Sequence, residues 1–192
     1  LPQVPPAYRA MLRGALDSPR DAVLEPVYAR EPLTPHFQLL RQYVGHAPII
    51  LPGAMGFIPD ERGRVLMVRR ADSGLWHLPG GFADLGETTT GTLVREVCEE
   101  TGLEIEPVHV VGVYSEPDLM MRRLENGDVV HGVGIACACR IIGGTPRPDG
   151  RETTETMFWR IEDLLAVPET VTPNSLQFLR DFQQPEGWPF LR

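Results

Sequence analysis

The sequence predicts an α/β fold, on three observations. Strand-length apolar runs are punctuated by turn residues, one amphipathic helix among them gathers its charges on a single face, and helical patterns close the chain. With 192 residues, 42% of them hydrophobic, the chain can bury one good core. The expected division is a single domain over residues 45–192 preceded by an N-terminal arm, partly helical, over residues 1–44.

Residues 1–35 are dense in proline, which prevents long regular elements, and short helical patterns remain at 7–16 and 35–44. The apolar residues of the arm, Val4, Tyr8, Met11, Leu12 and Leu16, need a surface to cover, either on their own domain or across a homodimer interface. Residues 49–58 and 64–70 are apolar and of strand length. The turn sequence Asp60-Glu61-Arg62-Gly63 between them predicts that they pair. Trp76 to Leu78 then feeds Pro79-Gly80-Gly81, a turn without side-chain bulk. A helix follows and ends at Gly102, a natural left-handed cap. Residues 108–114, 129–142 and 157–160 read as strands, and 161–165 and 174–182 as helices. No internal repeat or low-complexity tract is present.

The helix before Gly102 is unusual in where it puts its charge. At about 100° per residue, with Arg95 at 0°, Glu99 falls near 40°, Glu96 near 100° and Glu100 near 140°, while Leu93, Val97, Val94 and Cys98 occupy roughly 160° to 300°. One face is apolar and the other carboxylate. Like charges three and four residues apart each cost an isolated helix roughly 0.2–0.5 kcal/mol. Negative charge in the last turns opposes the helix dipole, at roughly 0.3–1 kcal/mol per group. Thr88, Thr89, Thr90 and Gly91 are poor helix formers and make a weak first turn. Local stability alone would not select this segment. A hard divalent cation such as Mg²⁺ removes the conflict, because it takes carboxylate oxygens as ligands and completes its shell with water and phosphate.

The whole stretch from Gly81 to Leu103 is Gly, five residues, Glu87, seven residues, then Arg95-Glu96-Val97-Cys98-Glu99-Glu100-Thr101-Gly102-Leu103. This resembles the signature box of the Nudix hydrolases with no position missing. The resemblance implies an α/β/α sandwich around a mixed β-sheet and a pyrophosphohydrolase dependent on Mg²⁺ or Mn²⁺. It implies that Glu96, Glu99 and Glu100 are metal ligands or close to them, that Glu87 assists a ligand or water, and that Arg95 orients a glutamate. Gly80, Gly81 and Gly102 would shape the loop and cap. Glu152, in the loop before the strand ending at Trp159, stands where several such enzymes hold a further catalytic or metal-binding acid; its alternative is an exposed loop glutamate. The leading substrates are nucleoside diphosphates linked to another moiety, ADP-ribose or a CDP-alcohol. The alternatives are a nucleoside triphosphate pyrophosphatase and a nucleotide-sensing module, and the intact set of glutamates argues against the sensor.

Charge and composition bound the partners. A formal charge of −8 disfavours nucleic acid and anionic membrane, which need a basic footprint. A polyanionic small-molecule substrate must then be received locally, by metal and arginine. Arg69 and Arg70 end a strand and point to opposite faces, so one is available to phosphate while the other pairs at the surface. Tyr114, Phe57 and Trp76 are each either a ring that stacks on a base or part of the core. Cys98, Cys137 and Cys139 match no metal pair or disulfide framework and read as buried free thiols. No signal peptide or apolar run of membrane length is seen, so the expected location is cytoplasmic.

Overall fold

The computed structural model describes residues 26–28, 35–124 and 126–192. The helical pattern expected at 7–16 and the apolar residues expected to dock, Val4 to Leu16, lie outside them. In chain order the first elements are β1 (Pro26–Tyr28), α1 (Pro35–Val44), β2 (Ile49–Phe57), β3 (Val65–Arg70), β4 (Trp76–His77) and β5 (Gly80–Phe82). They are followed by α2 (Thr89–Thr101), β6 (Leu103–Tyr114), α3 (Pro117–Met120), β7 (Met121–Leu124) and β8 (Val129–Gly144). β9 (Thr153–Trp159), α4 (Ile161–Ala166), α5 (Pro173–Phe182) and β10 (Phe190–Leu191) close the chain.

β8 is the spine of a mixed sheet. Its first residues pair antiparallel with β7, its C-terminal half pairs antiparallel with β6, and β2 runs parallel along its other edge from Ile49↔Val130 to Phe57↔Ala138. β5 lies antiparallel on β2, while β4, β3 and β9 form a separate small antiparallel sheet. Alternation along β2 explains the layering: Met55 and Phe57 join one core and Ala54 and Ile58 the other. The first core is closed by Ile161 and Leu164 of α4 with Phe178 and Leu179 of α5. The second is closed by Leu93 and Val97 of α2, over Cys137 and Cys139. A mixed sheet thus sits between helices on both faces, the α/β/α sandwich read from the sequence.

Two readings need correction, and one segment needs adding. Residues 49–58 and 64–70 do not form a paired hairpin. Only its base exists, a Pro59↔Val65 bridge with Leu66 N–H donating to the Ile58 carbonyl at 3.0 Å. Beyond it the strands part into different sheets, because both edges of β2 are taken by β8 and β5. Cys98 is exposed. The buried arc of α2 runs through Glu100, Leu93, Val97 and Thr101 and stops short of the Cys98 position, so a buried glutamate takes the place expected of the thiol. Pro117 to Leu124 forms a short helix and strand that the sequence reading left unassigned.

The described part of residues 1–44 packs on the domain. β1 lies parallel to β7, and Phe37 of α1 is buried against Leu51, Leu124 and Val130. Arg41 reaches the buried Asp128 carboxylate at 3.1 Å. Among the described residues no helix is long and apolar enough to cross a membrane.

Candidate active site

The glycine turn is built against β2. The Pro79 carbonyl accepts the Gly56 N–H at 2.9 Å, and Gly80 follows with φ +143°, where a side chain would run into the Ala54 carbonyl. Only glycine permits that approach. Its consequence is that the Gly80 N–H points at Glu100 Oε2, 2.8 Å away. At Gly81 a Cβ would stand 2.6 Å from the Glu96 carboxyl carbon, so the missing side chain is the room in which that carboxylate sits.

α2 begins at Thr88, whose hydroxyl accepts the Gly91 N–H at 3.0 Å, and ends at Gly102 with φ 69°. Within it Arg95 is a hub. Its Nε and Nη2 donate to the two oxygens of Glu87 at 2.6 and 2.9 Å, and its Nη1 donates to Glu96 at 2.8 Å and Glu99 at 3.1 Å. Nη2 also meets the Phe82 carbonyl at 3.2 Å. Glu87 further accepts the Asp84 N–H and the Thr92 hydroxyl. The Arg95 hydrogen bonds hold Glu87 down to about 2, against a smaller opposing effect of burial. Glu87 and Arg95 together therefore fasten the loop after the glycine turn to the helix.

The remaining carboxylates face a cleft. Glu96, Glu100 and Glu152 all line it, with Arg70 and Arg122. Burial pushes Glu96 up to about 7, opposed by Arg95 and reinforced by the negative charges of Glu152 and Glu99. Burial also drives Glu100 well above its ordinary value; the Gly80 N–H opposes this, and Glu96 and Glu152 add to it. Glu152 reaches the cleft because Asp149 organises its loop, accepting the N–H groups of Arg151, Glu152 and Thr153. The Thr153 hydroxyl then donates to the Glu100 carbonyl at 3.0 Å, tying loop to helix.

Of the residues singled out from sequence, Glu96, Glu100, Glu152, Arg70, Gly80 and Gly81 meet at this cleft. Glu87, Arg95 and Glu99 form the adjoining ion-pair cluster. Arg69 does not meet them: it lies on the other side of β3 and pairs with Glu155 at 2.7 Å. Tyr114 is corrected outright. It is fully buried, packs on Phe178, and donates its hydroxyl to Asp181 at 3.0 Å, so no face of it is open to a base. Phe57 and Trp76 are likewise core. The sequence reading missed His77, Phe82, Met120 and Arg122, which line the cleft. For His77 the signal was alternation, which turns it away from Trp76 and Leu78. For Asp149 it was the Asp-Gly turn pair. Met120 and Arg122 lie in a stretch without periodicity and gave none.

Among the described residues no three acidic, histidine or cysteine side chains converge tightly enough to grip an ion as they stand. Arg95 draws Glu96 and Glu99 toward itself. The donor chemistry still fits a hard divalent cation, since carboxylates that raise one another's proton affinity in a partly buried cleft are relieved by added positive charge.

Comparison with known proteins agrees with this geometry. A family model, the NUDIX domain, matches residues 50–182. A "Putative 8-oxo-dGTP diphosphatase" of Bacillus subtilis (strain 168) is 32% identical over 131 residues, covering 68% of this chain and 78% of that protein. An ADP-ribose pyrophosphatase of Methanocaldococcus jannaschii is 32% identical over 114 residues, 58% of this chain. The chain spans 62% and 63% of the length of two curated relatives that it matches. The solved structure of a NUDIX hydrolase from Nitrosomonas europaea shares the fold, with a TM-score of 0.60 at 19% identity over 74% of this chain and 94% of that one.

Proposed function

The chain belongs to the Nudix hydrolase family, and from that membership we propose that it hydrolyses the pyrophosphate bond of a nucleoside diphosphate linked to another moiety, of the ADP-ribose or CDP-alcohol kind. The observation that carries this reading is one cleft that brings the carboxylates of Glu96, Glu100 and Glu152 together with the guanidinium groups of Arg70 and Arg122. Nudix hydrolases generally need a divalent metal, and Glu96, Glu99, Glu100 and Glu152 are the groups that would hold Mg²⁺ or Mn²⁺. Such an ion supplies positive charge against the phosphoryl oxygens.

The chain's own residues do the rest. Arg70 and Arg122 receive the diphosphate, and Glu87 with Arg95 keeps the helix and glycine turn in register. Water oxygen bonds to phosphorus, the bridging P–O bond breaks, and the water proton leaves to a carboxylate of the cleft. The apolar groups Met55, Phe82 and Met120 line the same cleft and offer a surface to the nucleoside.

Product identification by mass tests this. From ADP-ribose with Mg²⁺ the products are AMP and ribose 5-phosphate, alkaline phosphatase then releases inorganic phosphate from both, and heavy-oxygen water labels one of them. A second reading, cleavage of a nucleoside triphosphate to a monophosphate and diphosphate, is favoured by the Bacillus subtilis relative. Turnover confined to triphosphates would replace the first reading by the second.

A further inference from the structure

His77 has no part in the roles given above, yet it is buried in the wall of the cleft. Its Nδ1 lies 2.8 Å from Thr172 Oγ1 and 2.9 Å from Ser175 Oγ, two buried hydroxyls at the start of α5. Ser175 Oγ already accepts the Leu78 N–H at 3.0 Å, so its own proton must point elsewhere. Among the described residues neither hydroxyl donates to another acceptor, and we assign the single in-plane lone pair of His77 Nδ1 as the acceptor of one of their protons. An imidazole that accepts at Nδ1 carries its proton on Nε2. With Nδ1 turned to α5, that N–H edge is what the ring offers to the cleft.

Burial keeps the ring neutral, and the charges of Arg70 and Arg122 act in the same direction. A neutral donor suits this place. A third cation would compete for Glu96 and Glu152, whereas an N–H adds a hydrogen bond without claiming a carboxylate.

We propose that His77 is a phosphate-binding residue: its Nε2–H donates to a phosphoryl oxygen of the bound nucleotide alongside Arg70 and Arg122, with Thr172 and Ser175 positioning the ring. The inference rests on the reading of the cleft as a nucleotide site. It explains why the strand before the glycine turn is hydrogen-bonded to the closing helix through both a side chain and a backbone N–H.

Calorimetric titration of the full chain with ADP, inorganic diphosphate and adenosine, all with Mg²⁺, tests it. His77→Phe keeps the ring and loses the donor, and should weaken ADP and diphosphate by about tenfold or more. His77→Gln, whose amide reaches the Nε2 position, should recover most of that loss, and Ser175→Ala should cost a few-fold. Nitrogen NMR of histidine-labelled protein should show the proton on Nε2, with a shift when diphosphate binds, and this reading survives even where a variant does not fold. A proton on Nδ1, or equal ADP affinity in wild type and a folded His77→Phe, overturns the inference and leaves the cleft assignment standing. An equal loss of adenosine binding moves the contact to the nucleoside and also overturns it. Failure of the wild type to bind ADP or diphosphate overturns the nucleotide site itself, and the inference with it.

Discussion

On the outer side of α2, Glu87 receives two of the Arg95 hydrogen bonds, the Asp84 N–H and the Thr92 hydroxyl, and its charge is fully answered. On the inner side Glu100 is buried in the cleft wall, its Oε2 accepts the Gly80 N–H, and its nearest charged neighbours include two more carboxylates. The two come from one short frame of sequence. Their difference is that one carboxylate is satisfied where it stands and the other is crowded by like charge, the two separated by the width of one helix. The first is stable as it stands, whereas the second is arranged for positive charge brought in from outside.

Substitution should separate them most sharply. Glu100→Gln should lower kcat by about a hundredfold or more, while melting without metal stays the same or rises, because it removes a carboxyl whose charged form burial disfavours. Glu87→Gln should do the reverse, costing about 1 kcal/mol of stability with kcat changed less than about tenfold. Equal loss of activity in the two variants would dissolve the distinction. Gly81→Ala comes next. Its methyl group takes the room of the Glu96 carboxylate, 2.6 Å from its carbon, so turnover should fall by about tenfold or more in a protein that still folds.

Metal should act on one side only. Mg²⁺ or Mn²⁺ should raise the melting temperature, by the equivalent of about 2.7 kcal/mol at a hundred times the dissociation constant. The shift should shrink in Glu96→Gln and Glu100→Gln and persist in Glu87→Gln. A shift undiminished in the first two would place the ion elsewhere.

In metal-free protein the two sides should also respond oppositely to pH. Glu96 binds its proton more tightly folded than unfolded, near 7 against an ordinary value of 4.5, so stability should fall as pH rises between those values. Glu87, held near 2, contributes stability that is present above its ordinary value of 4.5 and lost as pH falls toward 2. Chemical denaturation across pH reads both slopes, and each should flatten in the matching Gln variant. The smallest effect is a labelling ratio: one thiol per native chain, Cys98, should react with iodoacetamide. Burial raises both remaining thiols, Cys139 to about 12, and keeps them inert until unfolding.

The legible part of the molecule was the part written in short range. The frame from Gly81 to Leu103, the cap at Gly102, and the helices expected at 35–44 and 174–182 follow from spacing and local chemistry, and each is present, the last one residue longer. What escaped depends on distant partners. Nothing in residues 49–58 says that β8, some eighty residues on, will take the edge offered to the neighbouring run. Cys98 looked apolar on the helix and is exposed, because the sheet beneath covers an arc shifted toward Glu100. Tyr114 looked free to stack because its anchor, Asp181, lies on the last helix. Arg122 gave no signal at all, since only the pairing of β7 with β8 carries it to the cleft.

That pairing has a consequence for descent and for engineering. Pro117 to Leu124 is attached through β8 and β1 and shares no strand pairing with β5, which carries the glycine turn. It lends Met120 and Arg122 to the cleft from a separate stretch of chain. Selection for a new substrate and selection for bond breaking therefore fall on different codons. A library confined to residues 117–121 would explore new molecular diets while Arg122 and the cleft carboxylates are inherited unchanged.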